Sequence, residues 1–175
     1  MAERVVIGFG SSIGDKIASI ACALNKLNEI EEITILNVSR LYQTHPCGEN
    51  ARNFFINGAV LISTEFTPME LLVHLKRIET ECGRVERTRW SDREIDLDIL
   101  AYENTLLENE RLSVPHKDLF LRDFALVPFL EIFGEAIHPK FQKKFSDITP
   151  NLDQVFIESV LDTQIVLSEN YIVAK

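Results

Sequence analysis

The chain has 175 residues, of which 46% are hydrophobic and 26% are charged, as is ordinary for a single globular domain. Its net charge of −9 argues against a nucleic-acid-binding protein, whose electrostatic footprint is a basic surface. The sequence has no apolar run long enough to span a membrane, no signal-peptide pattern and no C-x-x-C spacing among its three cysteines. We therefore expect a cytoplasmic protein with neither a disulfide framework nor a zinc site.

The N-terminal segment predicts a strand, a helix and a second strand. An apolar run from Arg4 to Gly10 ends in the turn GSSIG, and Asp15 can cap a helix that reaches about Asn28. Residues 33–42 then follow as a strand. The turn lacks both glycine-rich phosphate-binding patterns, so we interpret it as a tight strand-to-helix connection.

The next segment predicts a loop, a strand and a helix. A loop at residues 43–53 leads into an alternating, β-rich run at residues 54–66. Asn57 is a polar residue inside this apolar strand, and a buried amide must be hydrogen-bonded either by the backbone or by a ligand. Thr67 and Pro68 then begin a second helix that ends near Gly83.

The stretch GRVERTRWSDREIDLDILAY, residues 83–102, carries the most informative pattern in the chain. Its second half predicts a strand in which Asp96 and Asp98 share one face, while the apolar residues between them share the other. Two carboxylates on one face repel each other, so a cation is expected between them. Hard oxygen ligands on a rigid strand suit Mg²⁺, which is usually shared with substrate phosphates.

A group of arginines lies on a predicted loop directly before this strand. They are Arg84, Arg87, Arg89 and Arg93. Guanidinium groups bind phosphate oxygens bidentately, so arginines beside an aspartate pair predict a phosphoryl or pyrophosphoryl transfer site. Each pattern alone has a simpler interpretation, since a lone D-x-D is more often a solvated strand face and exposed ion pairs contribute little. The combination, followed by Arg111, Ser113 and His116, favours the functional interpretation.

The C-terminal third predicts one further helix and an extended tail. Residues 123–133 predict a helix with Asp123 as its cap and Pro128 tolerated near its first turns. The tail contains VFIESVL and QIVLSENYIVA, which could make a terminal hairpin. We expect residues 1–150 to form the main domain and residues 151–175 an extension of it. The element order β-α-β-β-α-β predicts a ferredoxin-like α+β fold, with helices on one face of a mostly antiparallel sheet.

A series of short motifs runs through the chain in a fixed order. They are Gly10-Ser11, Y-x-T-x-P-x-G from Tyr42 to Gly48, F-x-N from Phe55 to Asn57, R-I-E…G-R-V from Arg77 to Val85, R-W-x-x-R-x-x-D-x-D-I-L from Arg89 to Leu100, R-L-S-V-P-H from Arg111 to His116, and R-x-F from Arg122 to Phe124. Over roughly residues 5–150 the chain thereby resembles the 6-hydroxymethyl-7,8-dihydropterin pyrophosphokinase family of the folate pathway.

The resemblance implies transfer of the terminal pyrophosphoryl unit of ATP, the co-substrate, to the hydroxymethyl oxygen of the pterin, with release of AMP. It also implies two Mg²⁺ ions. From charge and hydropathy we expect no nucleic-acid or membrane partner, and we expect a monomer or weak homo-oligomer. By matching positions, the metal ions would be held by Asp96 and Asp98, and catalysis would involve Arg84, Arg89 and Arg93. The pterin would be bound by Thr44, Cys47, Phe55, Asn57 and Phe124. The nucleotide would be bound by Glu79, Arg111, Ser113, His116 and Arg122.

The chain departs from the family's usual residues at several positions. Ser12 stands where Asn is usual, His45 where Pro is usual, Lys76 where Gln is usual, and Ser91-Asp92 where Gly/Ala-Pro is usual. Asp92 adds negative charge beside Arg93, so we expect these departures to affect rate and loop closure more than fold. Two alternatives remain open: a divergent homologue that binds nucleotide without turnover, and a ferredoxin-like binding domain. Trp90 could either anchor its loop or fold over the site.

Overall fold

The computed structural model describes residues 1–168 and 171–175. The strands are β1 (Glu3–Ser11), β2 (Ile33–Val38), β3 (Tyr42–Thr44), β4 (Phe55–Thr64), β5 (Asp96–Tyr102), β6 (Leu107–Glu108), β7 (Ser113–Val114), β8 (Ile157–Val160), β9 (Ile165–Leu167) and β10 (Ile172–Ala174). The helices are α1 (Lys16–Asn28), α2 (Pro68–Glu81) and α3 (Asp123–Phe133). Within these described ranges, every helix is too short or too polar to cross a bilayer.

The main sheet is antiparallel and follows the order β5-β1-β4-β3-β8, with β2 also paired to β4. Taken in chain order, β1-α1-β2-β4-α2-β5 is the ferredoxin-like arrangement, so the predicted fold class is confirmed. The prediction of one strand over residues 33–42 was wrong. At Ser39, which lies between β2 and β3, the side-chain oxygen accepts a hydrogen bond from Ala59 N, while its backbone N–H donates to Ala59 O, both at 2.9 Å.

Side chains cap the first two helices as the sequence predicted. Asp15 accepts from Ala18 N at 3.0 Å, and Thr67 forms a capping box with Glu70. The predicted cap of the third helix was wrong, because Asp123 is the first helical residue instead. Its carboxylate accepts hydrogen bonds from the chain near β8.

Apolar side chains cover both faces of the sheet. On β1, Val5 and Ile7 belong to a cluster under α1 and α2, and the alternating Val6 belongs to a second cluster with Phe129 of α3. The expectation of helices on one face therefore holds for α1 and α2, while α3 packs on the opposite face. The exposed end of β5 between these layers carries the two aspartates of the candidate site.

The C-terminal tail divides into two parts. The predicted piece VFIESVL contains β8, which joins the main sheet beside β3, while β9 and β10 pair with each other as an antiparallel hairpin. Residues 169–170, inside the predicted piece QIVLSENYIVA, lie outside the described residues. Asn25 of α1 holds the hairpin, because its amide donates to Ile172 O at 2.9 Å and accepts from Ile172 N at 2.8 Å.

We predict that Asn25→Ala lowers the free energy of unfolding by about 1–2 kcal/mol, because a partly buried backbone N–H and C=O at Ile172 lose their partner. Denaturant unfolding measures this loss. Asn28→Ala, at the exposed end of the same helix, is the matched control and should change stability much less. Equal stability of the two variants would contradict the prediction.

Candidate active site

A cavity of about 800 Å³ lies over β1, β4 and β5 and is bounded by the loops at residues 45–53 and 84–93. This volume is in the range of small-molecule sites, roughly 300–1,000 Å³. The predicted site residues that line it are Thr44, Cys47, Phe55, Asn57, Glu79, Arg84, Arg89, Arg93, Asp96, Asp98, His116, Arg122 and Phe124. The structure therefore brings residues from widely separated parts of the chain to one cavity.

Two predicted nucleotide-binding residues do not line this cavity. Arg111 is exposed, and its backbone N–H donates to the side chain of Asn109 at 2.8 Å. The hydroxyl of Ser113 donates to Pro115 O at 3.0 Å. Their role in nucleotide binding stays a prediction.

Asp96 and Asp98 occupy the cavity side of β5, and Leu97 and Ile99 are buried on the other side. The alternation predicted for this strand is thus confirmed. Asp96 Oδ1 accepts from Arg84 at 2.7 Å and from Arg93 at 2.9 Å. The two arginines nearest to the strand are therefore already directed at its acidic face.

The two carboxylates have opposite pKa shifts. Burial alone would raise the pKa of Asp96, but the charges of Arg93 and Arg84 outweigh it and hold that pKa below its usual value. Partial desolvation of Asp98 in the cavity, together with the charge of Asp96, raises the pKa of Asp98 to about 7. Water still reaches Asp98 from the cavity mouth. Without a cation beside it, Asp98 therefore carries unfavourable charge at neutral pH.

The donor set fits Mg²⁺ shared with a substrate. Both groups are hard carboxylate oxygens, and the described part of the chain contains no cluster of three or more His, Cys, Asp or Glu that could hold a metal alone. Mg²⁺ typically takes one or two protein carboxylates and completes its shell with water and substrate phosphates. Asp96 and Asp98 match this incomplete kind of site.

Glu79 supports the acidic strand from behind. The residue is only 2% exposed, its carboxylate accepts hydrogen bonds from Leu97 N at 2.7 Å and Lys76 at 3.0 Å, and it forms an ion pair with Arg84 at 2.8 Å. A buried carboxylate needs such partners to offset its desolvation. Glu79 therefore fixes the start of β5 and aims Arg84, while Lys76 adds a further cation to the cavity wall.

Ser12 fixes the end of the arginine loop to the end of β1. Ser12 N donates to Arg93 O at 2.9 Å, and the Ser12 hydroxyl accepts from Arg93 N at 3.0 Å. The side chain of Arg93 is thereby held beside Asp96. The departure at Ser12 is compatible with an anchored Arg93 backbone.

Asp92 joins the two loops that bound the cavity. Its carboxylate accepts the backbone N–H groups of Arg52 and Asn53, both at 3.1 Å, and the Asn50 amide donates to Arg89 O at 2.9 Å. Backbone donors therefore engage the negative charge that Asp92 adds beside Arg93. We call these contacts the loop clasp.

Trp90 completes the loop clasp. It has a positive φ of 63°, and its side chain packs on Gly48, where an added Cβ would lie 2.7 Å from Trp90 Cβ. The guanidinium groups of Arg122 and Arg89 lie 5.1 and 5.2 Å from the ring centroids of the indole. Trp90 contacts both loops and also lines the cavity, so the two roles that the sequence left open both stay predictions.

The opposite wall of the cavity combines aromatic rings with a buried amide. Asn57 is 8% exposed and donates to the Thr44 hydroxyl at 2.7 Å. Phe55 lies two residues earlier on the same strand, and Phe124 comes from α3. Gly10 leaves room for the Asn57 side chain, because a Cβ there would force the Asn57 amide oxygen Oδ1 to move. Such a wall suits a flat heterocycle with a polar edge.

Sequence reasoning named Lys76, Ser12 and Asp92 only as departures and gave them no role in the site. Lys76 could have been found, since it lies three residues before Glu79 on a helix and so shares its face. The partners of Ser12 and Asp92 are backbone groups far away in sequence. No sequence pattern indicates such contacts.

The ferredoxin-like fold, the aspartate pair and the arginine loop together define a class of enzymes that transfer phosphoryl or pyrophosphoryl groups. Residues 6–134 match the family described as 7,8-dihydro-6-hydroxymethylpterin-pyrophosphokinase (HPPK), and the chain belongs to this family. It is 39% identical over 146 residues to the 2-amino-4-hydroxy-6-hydroxymethyldihydropteridine pyrophosphokinase of Aquifex aeolicus, covering 83% of this chain and 90% of that protein. The Methylorubrum extorquens protein of the same name is 43% identical over 134 residues, covering 77% and 85%.

Solved structures share the fold at much lower identity. The crystal structure of Plasmodium falciparum HPPK-DHPS wild type with STZ-DHP matches with a TM-score of 0.64 and 16% identity, over 83% of this chain and 42% of that one. This chain thus spans less than half of that protein, and the likeness supports the fold alone.

We predict that Asp98→Asn stabilises the metal-free protein at pH 8 but not at pH 4. An acid whose pKa is raised on folding costs stability as pH rises from about 4, its unfolded value, to about 7, and the cost persists above that. Because water screens Asp98, we expect a gain of about 1 kcal/mol, or roughly 2–4 °C in melting temperature. Melting curves in EDTA at both pH values measure it, and a gain that does not depend on pH would contradict the cause.

We predict that Asp92→Ala loosens the loop clasp. The amides of Arg52 and Asn53 lose their acceptor, so their hydrogen exchange should accelerate about tenfold, the equivalent of one hydrogen bond. Glu86→Ala removes the same charge from an exposed position of the same loop and should leave this exchange unchanged. If Asp92 acted only by repelling phosphate, Asp92→Ala would tighten ATP binding without altering exchange at residues 52–53.

Proposed function

We propose that this cavity is the site at which the protein transfers the terminal pyrophosphoryl unit of ATP to the hydroxymethyl oxygen of 6-hydroxymethyl-7,8-dihydropterin, releasing AMP. The chain belongs to the HPPK family, so it is an ATP-dependent pyrophosphokinase of folate biosynthesis. The observation that carries the assignment of the site is that the aspartate pair, the arginine loop and the aromatic-amide wall all face one cavity. Each part matches one chemical component of the two substrates.

The nucleotide side is formed by the arginines. Arg84 and Arg93 lie beside the acidic strand, and Arg89 lies in the loop above it. Phosphoryl transfer is catalysed mainly by positioning and by stabilising charge on the transferring group. Arg84, Arg89 and Arg93 can do both once ATP phosphates occupy the cavity beside them.

Asp96 and Asp98 would hold the Mg²⁺ ions, for which we propose two. Bound Mg²⁺ supplies neutralisation of the phosphate charge and orientation of the phosphate oxygens. The protein's own part is to keep both carboxylates on one rigid strand, with Glu79 fixing the start of that strand. The charge of Asp96 contributes to raising the pKa of Asp98, and a cation beside the pair would offset that repulsion.

The pterin side is formed by the aromatic-amide wall. Phe55 and Phe124 would stack on the pterin ring, and Asn57 with the backbone near Thr44 and Cys47 would bind its polar edge. The hydrogen bond from Asn57 to Thr44 fixes the orientation of the amide before any ligand binds. A preorganised polar group of this kind favours a ligand that can pair with it.

His116 and Arg122 would border the nucleotide. His116 is partly buried, and burial lowers its pKa, so its imidazole is neutral at physiological pH. Its Nδ1 accepts a hydrogen bond from Asp118 N at 3.1 Å, which leaves the rest of the ring facing the cavity. We also propose that the protein acts as a monomer or a weak homo-oligomer.

The assay for this function incubates the purified protein with ATP, Mg²⁺ and the hydroxymethylpterin and follows AMP. We expect AMP to form only when the pterin is present, in equal amount to pyrophosphorylated pterin, and to be nearly abolished in Asp96→Ala. Binding of both substrates without AMP release would instead support the divergent homologue without turnover. Binding of neither substrate would support the ferredoxin-like binding domain.

We predict that Asn57→Ala weakens pterin binding by about 1–3 kcal/mol, because the pterin edge and the Thr44 hydroxyl both lose a buried partner. ATP affinity should change little, since the arginines lie elsewhere in the cavity. Separate calorimetric titrations of both ligands test this, with Asn104→Ala, an exposed turn residue outside the cavity, as the control. A loss of ATP affinity without a loss of pterin affinity would refute the assignment of this wall.

A further inference from the structure

We propose that the C-terminal segment at residues 154–160 positions the pterin wall, with Phe156 and Asp123 as positioning residues that act through Phe124 and Thr44. This inference rests on the proposed function, since it names what holds the pterin side of that site. The segment lies beyond residues 6–134, the part of the chain that matches the family.

The first contact joins the segment to the polar edge of the wall. Strand β8 pairs with β3, and Ile157 is the register partner of Thr44. The backbone N–H of His45 donates to Phe156 O at 2.8 Å. The residues that begin the 45–53 loop are therefore held from one side by β4 and from the other by the C-terminal segment.

The second contact joins the segment to the aromatic platform. The Phe156 ring is 5% exposed and meets Phe124 edge to face, with ring centroids 5.3 Å apart and an interplanar angle of 84°. This geometry is the favoured one for an aromatic pair. Gln154 forms a β-bridge with Arg122, which lies two residues before Phe124. The Phe156 ring therefore determines which face of the Phe124 ring is free to contact a ligand.

The third contact explains why the tail takes this position. Asp123 is 4% exposed, and its Oδ2 accepts the backbone N–H groups of Phe156 and Ile157, both at 2.9 Å. Its Oδ1 is buried and has no hydrogen-bond partner in the part of the chain that the structure describes. Burying a carboxylate raises the free energy of the folded state unless the carboxylate is paired. The backbone amides of Phe156 and Ile157 offset this penalty for Asp123. Asp123 thereby ties the start of α3 to β8.

These contacts lead to a specific expectation about ligand preference. Loosening the segment should let the Phe124 ring and the Thr44-His45 backbone move, which would weaken pterin binding. Arg84, Arg93 and the acidic strand are held by Glu79 and Ser12 instead, and Arg122 is the nucleotide residue that the segment touches, through Gln154. ATP binding should therefore fall much less than pterin binding, which distinguishes positioning from a general structural role.

The test compares Phe156→Leu, which keeps an apolar side chain in the core, with Val155→Ala at the neighbouring residue, which is 74% exposed. Calorimetry with the full chain measures the affinities for the hydroxymethylpterin and for a non-hydrolysable ATP analogue. We expect Phe156→Leu to weaken pterin binding about three- to tenfold, the value of an edge-to-face pair, and to weaken binding of the ATP analogue much less. Val155→Ala should match the wild type for both ligands.

Two further variants make the result specific. Asp123→Asn preserves shape but weakens the acceptor, and it should give the same selective loss of pterin affinity. In a Phe124→Leu background the effect of Phe156→Leu should disappear, since the two rings act through each other.

Wild-type pterin affinity in Phe156→Leu, or an equal loss for both ligands, overturns the positioning role. If the wild-type protein itself binds no pterin, the proposed function fails and this inference fails with it.

Discussion

The acidic face of β5 is the constraint on which the rest of the site depends. Placing Asp96 and Asp98 two residues apart on one side of a strand creates repulsion that a soluble protein would ordinarily avoid. The chain offsets it at Asp96 with Arg84 and Arg93 and leaves Asp98 with a raised pKa. Unfavourable electrostatic energy at a rigid position is typical of a functional site in which the ligand supplies the missing positive charge.

The surrounding structure holds this face and the opposite wall by separate means. Glu79 binds the start of the strand from α2, and Ser12 holds the arginine loop from β1. The aromatic-amide wall, which we propose binds the pterin, is held by β4 and by the tail, through Asp123 and Phe156. The loop clasp is the connection between the two sides, since Asp92 joins the 45–53 loop to the loop that carries the arginines. In the proposed site, this division would let each substrate be held by rigid elements, with the loops bounding the space between them.

The sequence was sufficient for most of the architecture. Helix caps at Asp15 and Thr67 and the alternation along β1, β4 and β5 are local properties, and they fixed the ferredoxin-like order. The predictions made from the sequence for Ser39 and for Asp123 were wrong for the same reason. Both residues have polar side chains whose partners are backbone groups distant in sequence, and local rules assign such residues to strands or caps.

The sequence by itself determined which chemical groups the site would contain, because carboxylates at period two and arginines in one short loop are visible without a fold. It also determined the family, through motifs in a fixed order. Only the tertiary structure decided how those groups are held: that backbone amides take up the charge of Asp92, that Ser12 holds the Arg93 backbone, and that Phe156, just before β8, packs on Phe124. The physical reason is that such contacts depend on chain closure over long sequence separations, which no local pattern encodes.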